Sequence, residues 1–276
     1  MPTSSEIEFE PPAGFERSHA GVPPGTWSDD GAQALVLLHS LLTCGQFDAH
    51  HFAGGLMRWY DDGFMAVDSV FDVGVQTARA IGQLKRGVPP LEAGAGGEYA
   101  NGNGSLMRVL PLALWHQGSD ADLVRDAQHQ SRVTHAHLRA QLCCALYGLW
   151  ARGILQDRAQ PFDWAVATLR ALYGEATPER AELDFFIRPD DAHQCRGRGY
   201  VVEALFSARQ ACEQDGFEAA VKFAVALGQD TDTTACLAGG IAGLQVGLKG
   251  IPVRWREGLL GTGLYQPLLT QLLARR

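Results

Sequence analysis

The sequence predicts an all-α fold: one compact domain of roughly ten or more helices around a central helix rich in small residues. Three observations carry that prediction. Apolar residues recur at spacings of three and four along most of the chain, and no strand-like alternation persists. Asp-Gly, Pro-Gly and Pro-Pro pairs punctuate the joins. Neither an internal repeat nor a low-complexity linker divides the 276 residues, so 1–276 reads as a single domain with 1–25 an irregular N-terminal segment.

The first helical stretch is Ala32–Leu42, within PGTWSDDGAQALVLLHSLL, and Ser28, Asp29 and Asp30 stand at its mouth. Phe71–Leu84 follows. Gly87–Gly104, GVPPLEAGAGGEYANGNG, is a long glycine-rich loop, and such loops inside compact domains are usually functional. Leu106–Trp115, Leu138–Leu155, Phe162–Tyr173, Tyr200–Ala211 and Phe217–Leu227 continue the helical period. Thr233–Val246 closes it, just after Asp230-Thr231-Asp232. Gly239, Gly240 and Gly243 in this last stretch each cost about 1 kcal/mol relative to alanine in a helix interior. A central helix, which neighbouring backbones approach closely, has reason to carry them. Its opening acids then lie near the middle of the molecule.

Bulk properties narrow the function. The chain is 46% hydrophobic and 20% charged, enough to bury a substantial core. The net charge is −8, with no basic block, so direct nucleic-acid binding is not expected. Apolar runs fall short of a membrane span, and MPTSSEIEFEPP lacks the parts of a signal peptide. The six cysteines show neither CxxC nor metal-site spacing and read as reduced thiols. The expectation is a cytoplasmic monomer.

Both acidic clusters open helices, where aspartate caps and the helix dipole favours negative charge. Capping explains one acid per helix. It does not explain four, Asp29, Asp30, Asp230 and Asp232, together with Ser28 and Thr233. These six side chains offer only oxygen, a donor set that selects Mg²⁺, Mn²⁺ or Ca²⁺ over zinc. Four carboxylates are enough for two divalent ions.

At these residues the chain resembles the ADP-ribosylglycohydrolase family. Trp27-Ser28-Asp29-Asp30 matches its front motif and Gly228-Gln229-Asp230-Thr231-Asp232-Thr233 its back motif. Between them fall Phe71-Asp72-Val73-Gly74, Asn103-Gly104-Ser105-Leu106-Met107-Arg108, Thr134-His135 and Gly199-Tyr200-Val201-Val202-Glu203, with Ile251-Pro252 near the end. The resemblance implies an all-α domain with a cleft holding a binuclear Mg²⁺ or Mn²⁺ centre. Its metal ligands would be Ser28, Asp29, Asp30, Asp230, Asp232 and Thr233. It implies hydrolysis of the glycosidic bond between ADP-ribose and an acceptor, most often an arginine side chain of a protein, though a small-molecule substrate also fits.

In that frame Asp30 and Asp232 act at the metals, and Asp72 and Glu8 are the candidate acid/base or acceptor-holding groups. Tyr99 and the loop Asn101, Gly102, Asn103, Gly104 and Ser105 would bind ADP-ribose, the loop offering free amides to phosphate. His135 would contact it too. Arg108 suits either phosphate or a structural salt bridge, Tyr200 either the core or an adenine pocket, and His50 and His51 the surface. Three departures bear on this. The helix with which the family usually begins is missing from these residues, only Ile7-Glu8-Phe9 matching its tail. Ser28 and Gly31 replace threonines, and Gln229 replaces a glycine. The missing helix favours a second class, a non-catalytic ADP-ribose binder or a structural, crystallin-like relative. Retention of four mutually repelling acids opposes it. A different metal-dependent phosphohydrolase is the third reading.

Overall fold

The computed structural model describes His19 and residues 21–275, and every regular element among them is helical. Glu8 lies outside the described residues. The α-helices are α1 (Asp29–Cys44), α2 (Ala49–Asp62), α3 (Val75–Lys85), α4 (Leu110–Trp115), α5 (Asp120–Arg132), α6 (Leu138–Leu155) and α7 (Pro161–Leu172). They continue with α8 (Pro178–Ala181), which runs into a π-helical turn, then α9 (Val201–Ala211), α10 (Gly216–Ala226), α11 (Thr231–Gly250), α12 (Val253–Gly258) and α13 (Thr262–Leu273). Helices α2, α5, α8, α12 and α13 go beyond the stretches read from periodicity. The segment Leu106–Val109 is turn rather than helix, so α4 begins at Leu110.

The most enclosed helix is α6. Every residue from Leu142 to Gly153 is buried, so burial runs all round its axis. A helix apolar on every face belongs in a core. Helix α5 packs on one side of it and α7 on another, where Trp150 meets Phe162 edge-to-face at 5.3 Å. The glycine-rich α11 lies beside α6, between α9 and α10. Its small residues do permit close approach. A Cβ on Gly240 would sit 2.7 Å from the Tyr147 hydroxyl and 2.8 Å from Leu110 Cδ2. That hydroxyl donates to the Leu237 carbonyl at 2.8 Å and locks the two helices in register.

This packing brings the N-terminal ends of α1 and α11 to one cleft. The entry to α1 is fastened from both sides. The Gly25 carbonyl accepts the Leu260 N–H at 2.9 Å, and the Trp27 indole donates to the Met65 carbonyl at 3.0 Å. Gly31 now has a local reason: a Cβ there would stand 2.7 Å from Trp27 Cβ. The glycine-rich loop wraps the start of the α6 segment, with the Ala136 N–H donating to the Ala95 carbonyl at 2.9 Å. All six cysteines are free thiols. No described helix is long and apolar enough to cross a membrane.

Candidate active site

Capping chemistry separates the two acidic helix starts from four others. Asp48, Ser119, His137 and Thr177 each accept a backbone N–H and cap their helices in the ordinary way. Ser28 and Asp230 occupy the same N-cap position on α1 and α11, yet neither makes that bond. The Ser28 hydroxyl donates instead to Asp30 Oδ2 at 3.0 Å, and Asp230 Oδ2 accepts from the Asn103 amide at 2.8 Å. These side chains are directed at one another and at the cleft.

That cleft has a volume of about 1140 Å³, and all six oxygen donors line it. Asp29, Asp72 and Asp232, from three separate segments, each bring a carboxylate oxygen within 4.8 Å of the other two. Burial pushes the Asp29 carboxyl up to about 8, helped by Asp72, Asp232 and Asp230. Burial, then Asp232 and Asp29, raises Asp30 well above the carboxylate range. Asp230 is raised by burial and by Asp232 against the Asn103 bond. Asp72 is raised by burial and Asp232, and opposed by His19, whose imidazole lies 3.2 Å from it. Asp72 holds a left-handed backbone, φ 56°, which turns the chain sharply into α3.

Behind the acids is a fully hydrogen-bonded layer. Arg108, 0% exposed, donates to Gln33 Oε1 (2.7 Å), Gln130 Oε1 (3.0 Å), the Gln130 carbonyl (2.9 Å) and Thr134 Oγ1 (2.8 Å). Gln33 in turn donates to Asp29 Oδ2 at 3.1 Å. Thus Arg108 is a structural cation beneath the floor and contacts no carboxylate directly. The Thr134 hydroxyl accepts from Arg108 and lies 2.8 Å from His135 Nδ1. His135 is buried and lines the cleft. Burial and the Arg108 charge lower its pKa to about 3. The ring is therefore neutral.

The glycine loop differs in part from its expected role. Gly102, Asn103 and Gly104 line the cleft, and Gly104 fits because a Cβ there would lie 2.9 Å from His135 Cε1. The Gly102 N–H is already bonded to Gln76 Oε1 at 3.0 Å, and the Asn103 N–H to the Gly199 carbonyl at 3.1 Å. Those two amides are not free for phosphate. Ser105 is 0% exposed and does not line the cleft; its hydroxyl is 2.7 Å from Ser131 Oγ. Tyr99, 95% exposed, and Asn101 border an adjoining cavity of about 460 Å³, with Arg139 and Tyr200. Half-buried His51 bonds to Ser40, so it is not the free surface residue expected, whereas His50 is exposed. Sequence reasoning missed His19, Gln33, Gln76 and Arg198 at this site. Arg198 alone left a visible signal, its place between two glycines in GRGY.

Comparison with known proteins agrees with the geometry. The family model described as ADP-ribosylglycohydrolase matches residues 2–276. An ADP-ribosylarginine hydrolase, Tri1, of Pseudomonas putida is 31% identical over 259 residues, covering 91% of this chain and 67% of that protein. The ADP-ribosyl-[dinitrogen reductase] glycohydrolase of Rhodospirillum rubrum is 27% identical, covering 84% of this chain and 73% of its own. A solved structure described as an ADP-ribosylglycohydrolase-related protein complex superimposes with a TM-score of 0.72 at 29% identity, over 98% of this chain and 90% of that one.

Proposed function

This chain belongs to the ADP-ribosylglycohydrolase family, and from that premise we propose that its cleft hydrolyses the N-glycosidic bond between ADP-ribose and an arginine side chain, with two divalent cations as cofactors. The observation that carries the proposal is the convergence of Asp29, Asp72 and Asp232 within 4.8 Å, with mutual repulsion adding to burial in raising Asp29. Carboxylates brought this close repel one another and favour a bound counter-charge at the cluster.

The donor set fits hard divalent cations. Every candidate ligand offers oxygen, and Asp30 Oδ1, buried, has no hydrogen-bond partner. Ser28, Asp29, Asp30, Asp230, Asp232 and Thr233 would hold Mg²⁺ or Mn²⁺. Bound divalent ions neutralise such a cluster and make a ligated water more acidic. The chain's own groups do the rest. Gln33 and Asn103 hold Asp29 and Asp230 by hydrogen bonds, so these carboxylates are oriented before any ligand arrives. The neutral His135 ring lines the cleft, where it can hydrogen-bond a ribose hydroxyl. Asp72, at the open side of the cleft, holds the departing guanidinium or moves a proton at its carboxylate oxygen. Positive charge developing on the sugar faces an acidic wall.

The test is release of free ADP-ribose from arginine-, serine- and nucleic-acid-linked substrates, with Mg²⁺, with Mn²⁺ and with chelator. Release from the arginine substrate alone, lost on chelation and restored by metal, is the expected result. Undiminished turnover under chelation would overturn the metal assignment. ADP-ribose binding without release from any substrate would make the protein a non-catalytic relative.

A further inference from the structure

We infer that Arg198 is the cation that grips the diphosphate of ADP-ribose and so sets which end of the substrate meets the aspartates. The inference rests on the reading of the cleft given above.

Position supplies the first argument. Arg198 lines the large cleft. On one side of it the Gly197 carbonyl accepts the Asp230 N–H at 2.8 Å; on the other the Gly199 carbonyl accepts the Asn103 N–H at 3.1 Å. Its backbone is therefore bracketed between the acidic helix start and the glycine loop. Gly199, Gly102 and Gln76 border both cavities, so Arg198 is next in sequence to the neck that joins them. A ligand with a ribose at the acidic end and a base in the smaller cavity must carry its diphosphate through that neck.

Charge supplies the second. A diphosphate entering a cleft lined by five aspartates needs a compensating cation, and the other basic groups near it are neutral, paired or enclosed. The Gly102 and Asn103 amides are bonded within the protein. His135 is neutral, His19 faces Asp72, and Arg139 is paired with Glu182. Arg108 is enclosed beneath the floor. Arg198 is exposed and has no ion pair or hydrogen bond among the described residues. A guanidinium suits the task because its planar fork binds phosphate oxygens two at a time. It also repels the cationic acceptor, which leaves the diphosphate at the neck and the scissile bond at the aspartates.

The experiment measures ADP-ribose binding by calorimetry and substrate turnover for the wild-type chain, Arg198→Ala, Arg198→Gln and Arg198→Lys, with Mg²⁺ present. ADP and adenosine serve as competitors with and without a diphosphate. Loss of one charge-assisted contact predicts a Kd for ADP-ribose about tenfold or more higher in R198A and R198Q, with a smaller rise in R198K. The KM should rise in parallel with kcat little changed, and competition by ADP should weaken while that by adenosine stays constant. R198A binding ADP-ribose as tightly as wild type would overturn the inference, as would equal losses for ADP and adenosine, which mark a structural role. If the wild-type chain itself neither binds nor cleaves ADP-ribosyl compounds, the reading of the cleft fails first. Melting temperatures of the variants show whether each remains folded, which is expected for an exposed side chain.

Discussion

Two neighbouring layers of this molecule hold charge in opposite ways. In the lower layer Arg108 is wholly enclosed, yet four bonds to Gln33, Gln130 and Thr134 occupy its guanidinium. In the upper layer Asp29, Asp30, Asp72 and Asp230 face one another, all pushed up, and Asp30 Oδ1 has no partner. A buried charge whose bonds are complete belongs to the scaffold. A cluster of like charges whose bonds are incomplete is held for something that arrives from outside. Gln33 joins the layers by accepting from Arg108 and donating to Asp29, so the satisfied layer orients the unsatisfied one.

The comparison breaks most visibly if the two layers respond alike to mutation. Asp232→Ala should reduce ADP-ribose release by roughly 10³-fold or more, since a bound cation supplies several kcal/mol of charge stabilisation. The same variant, freed of metal, should melt no lower than wild type, because it removes a repulsion. A steep fall in melting temperature would move Asp232 into the scaffold. Arg108→Met should do the opposite. It leaves the buried acceptors of Gln33, Gln130 and Thr134 unsatisfied at about 1–3 kcal/mol each, so urea unfolding should shift strongly. Activity per folded molecule should fall much less than in the Asp232 variant.

A smaller effect tests the upper layer alone. Asp29 has a folded-state pKa of about 8 against an ordinary value of 3.8, so the folded chain binds more protons than the unfolded one between those limits. Its contribution to stability is complete below the ordinary value and is lost as pH rises toward about 8. The chelated protein should therefore melt progressively lower from about pH 4 to about pH 8. Saturating Mn²⁺ should flatten the curve, adding about 2.7 kcal/mol at one hundred times its Kd. Melting curves across pH, with and without chelator, check both. A chelated protein growing more stable across that range would contradict the charge assignment.

What the sequence made legible follows the same division. The acids could be read because they concentrate at helix starts, where local chemistry limits how many a cap can use. The helical fold could be read where apolar residues dominate a face, as along α6. Helix α5, DADLVRDAQHQSR, escaped because only Leu123, Val124 and Ala127 mark its inner face. Helix α13 escaped because Pro267 stands inside it. The Arg108 layer was illegible for a different reason. Gln33, Gln130 and Thr134 lie 75, 22 and 26 residues from Arg108 and reveal themselves as partners only once α1, α5 and the loop before α6 are packed together. The committed amides of the glycine loop were hidden likewise, since their partners Gln76 and Gly199 lie on other segments.

Ser105 gives the smallest and sharpest test, because motif position and structure assign it to different layers. Its motif, NGNGS, suggests a phosphate cradle, and a hydroxyl beside glycines is the usual donor for one. Packing turns it the other way. The side chain is enclosed, 2.7 Å from Ser131 Oγ, while the Ser131 hydroxyl also donates to the His135 carbonyl at 2.9 Å. Ser105→Ala should then cost about 1 kcal/mol of stability, the usual net worth of one buried hydrogen bond. The Kd for ADP-ribose should stay unchanged, since no atom of this side chain borders the cleft. A rise in that Kd at constant stability would return Ser105 to the ligand. A modest loss of stability at constant Kd would show that the boundary between scaffold and site runs through the loop itself, between Gly104 and Ser105.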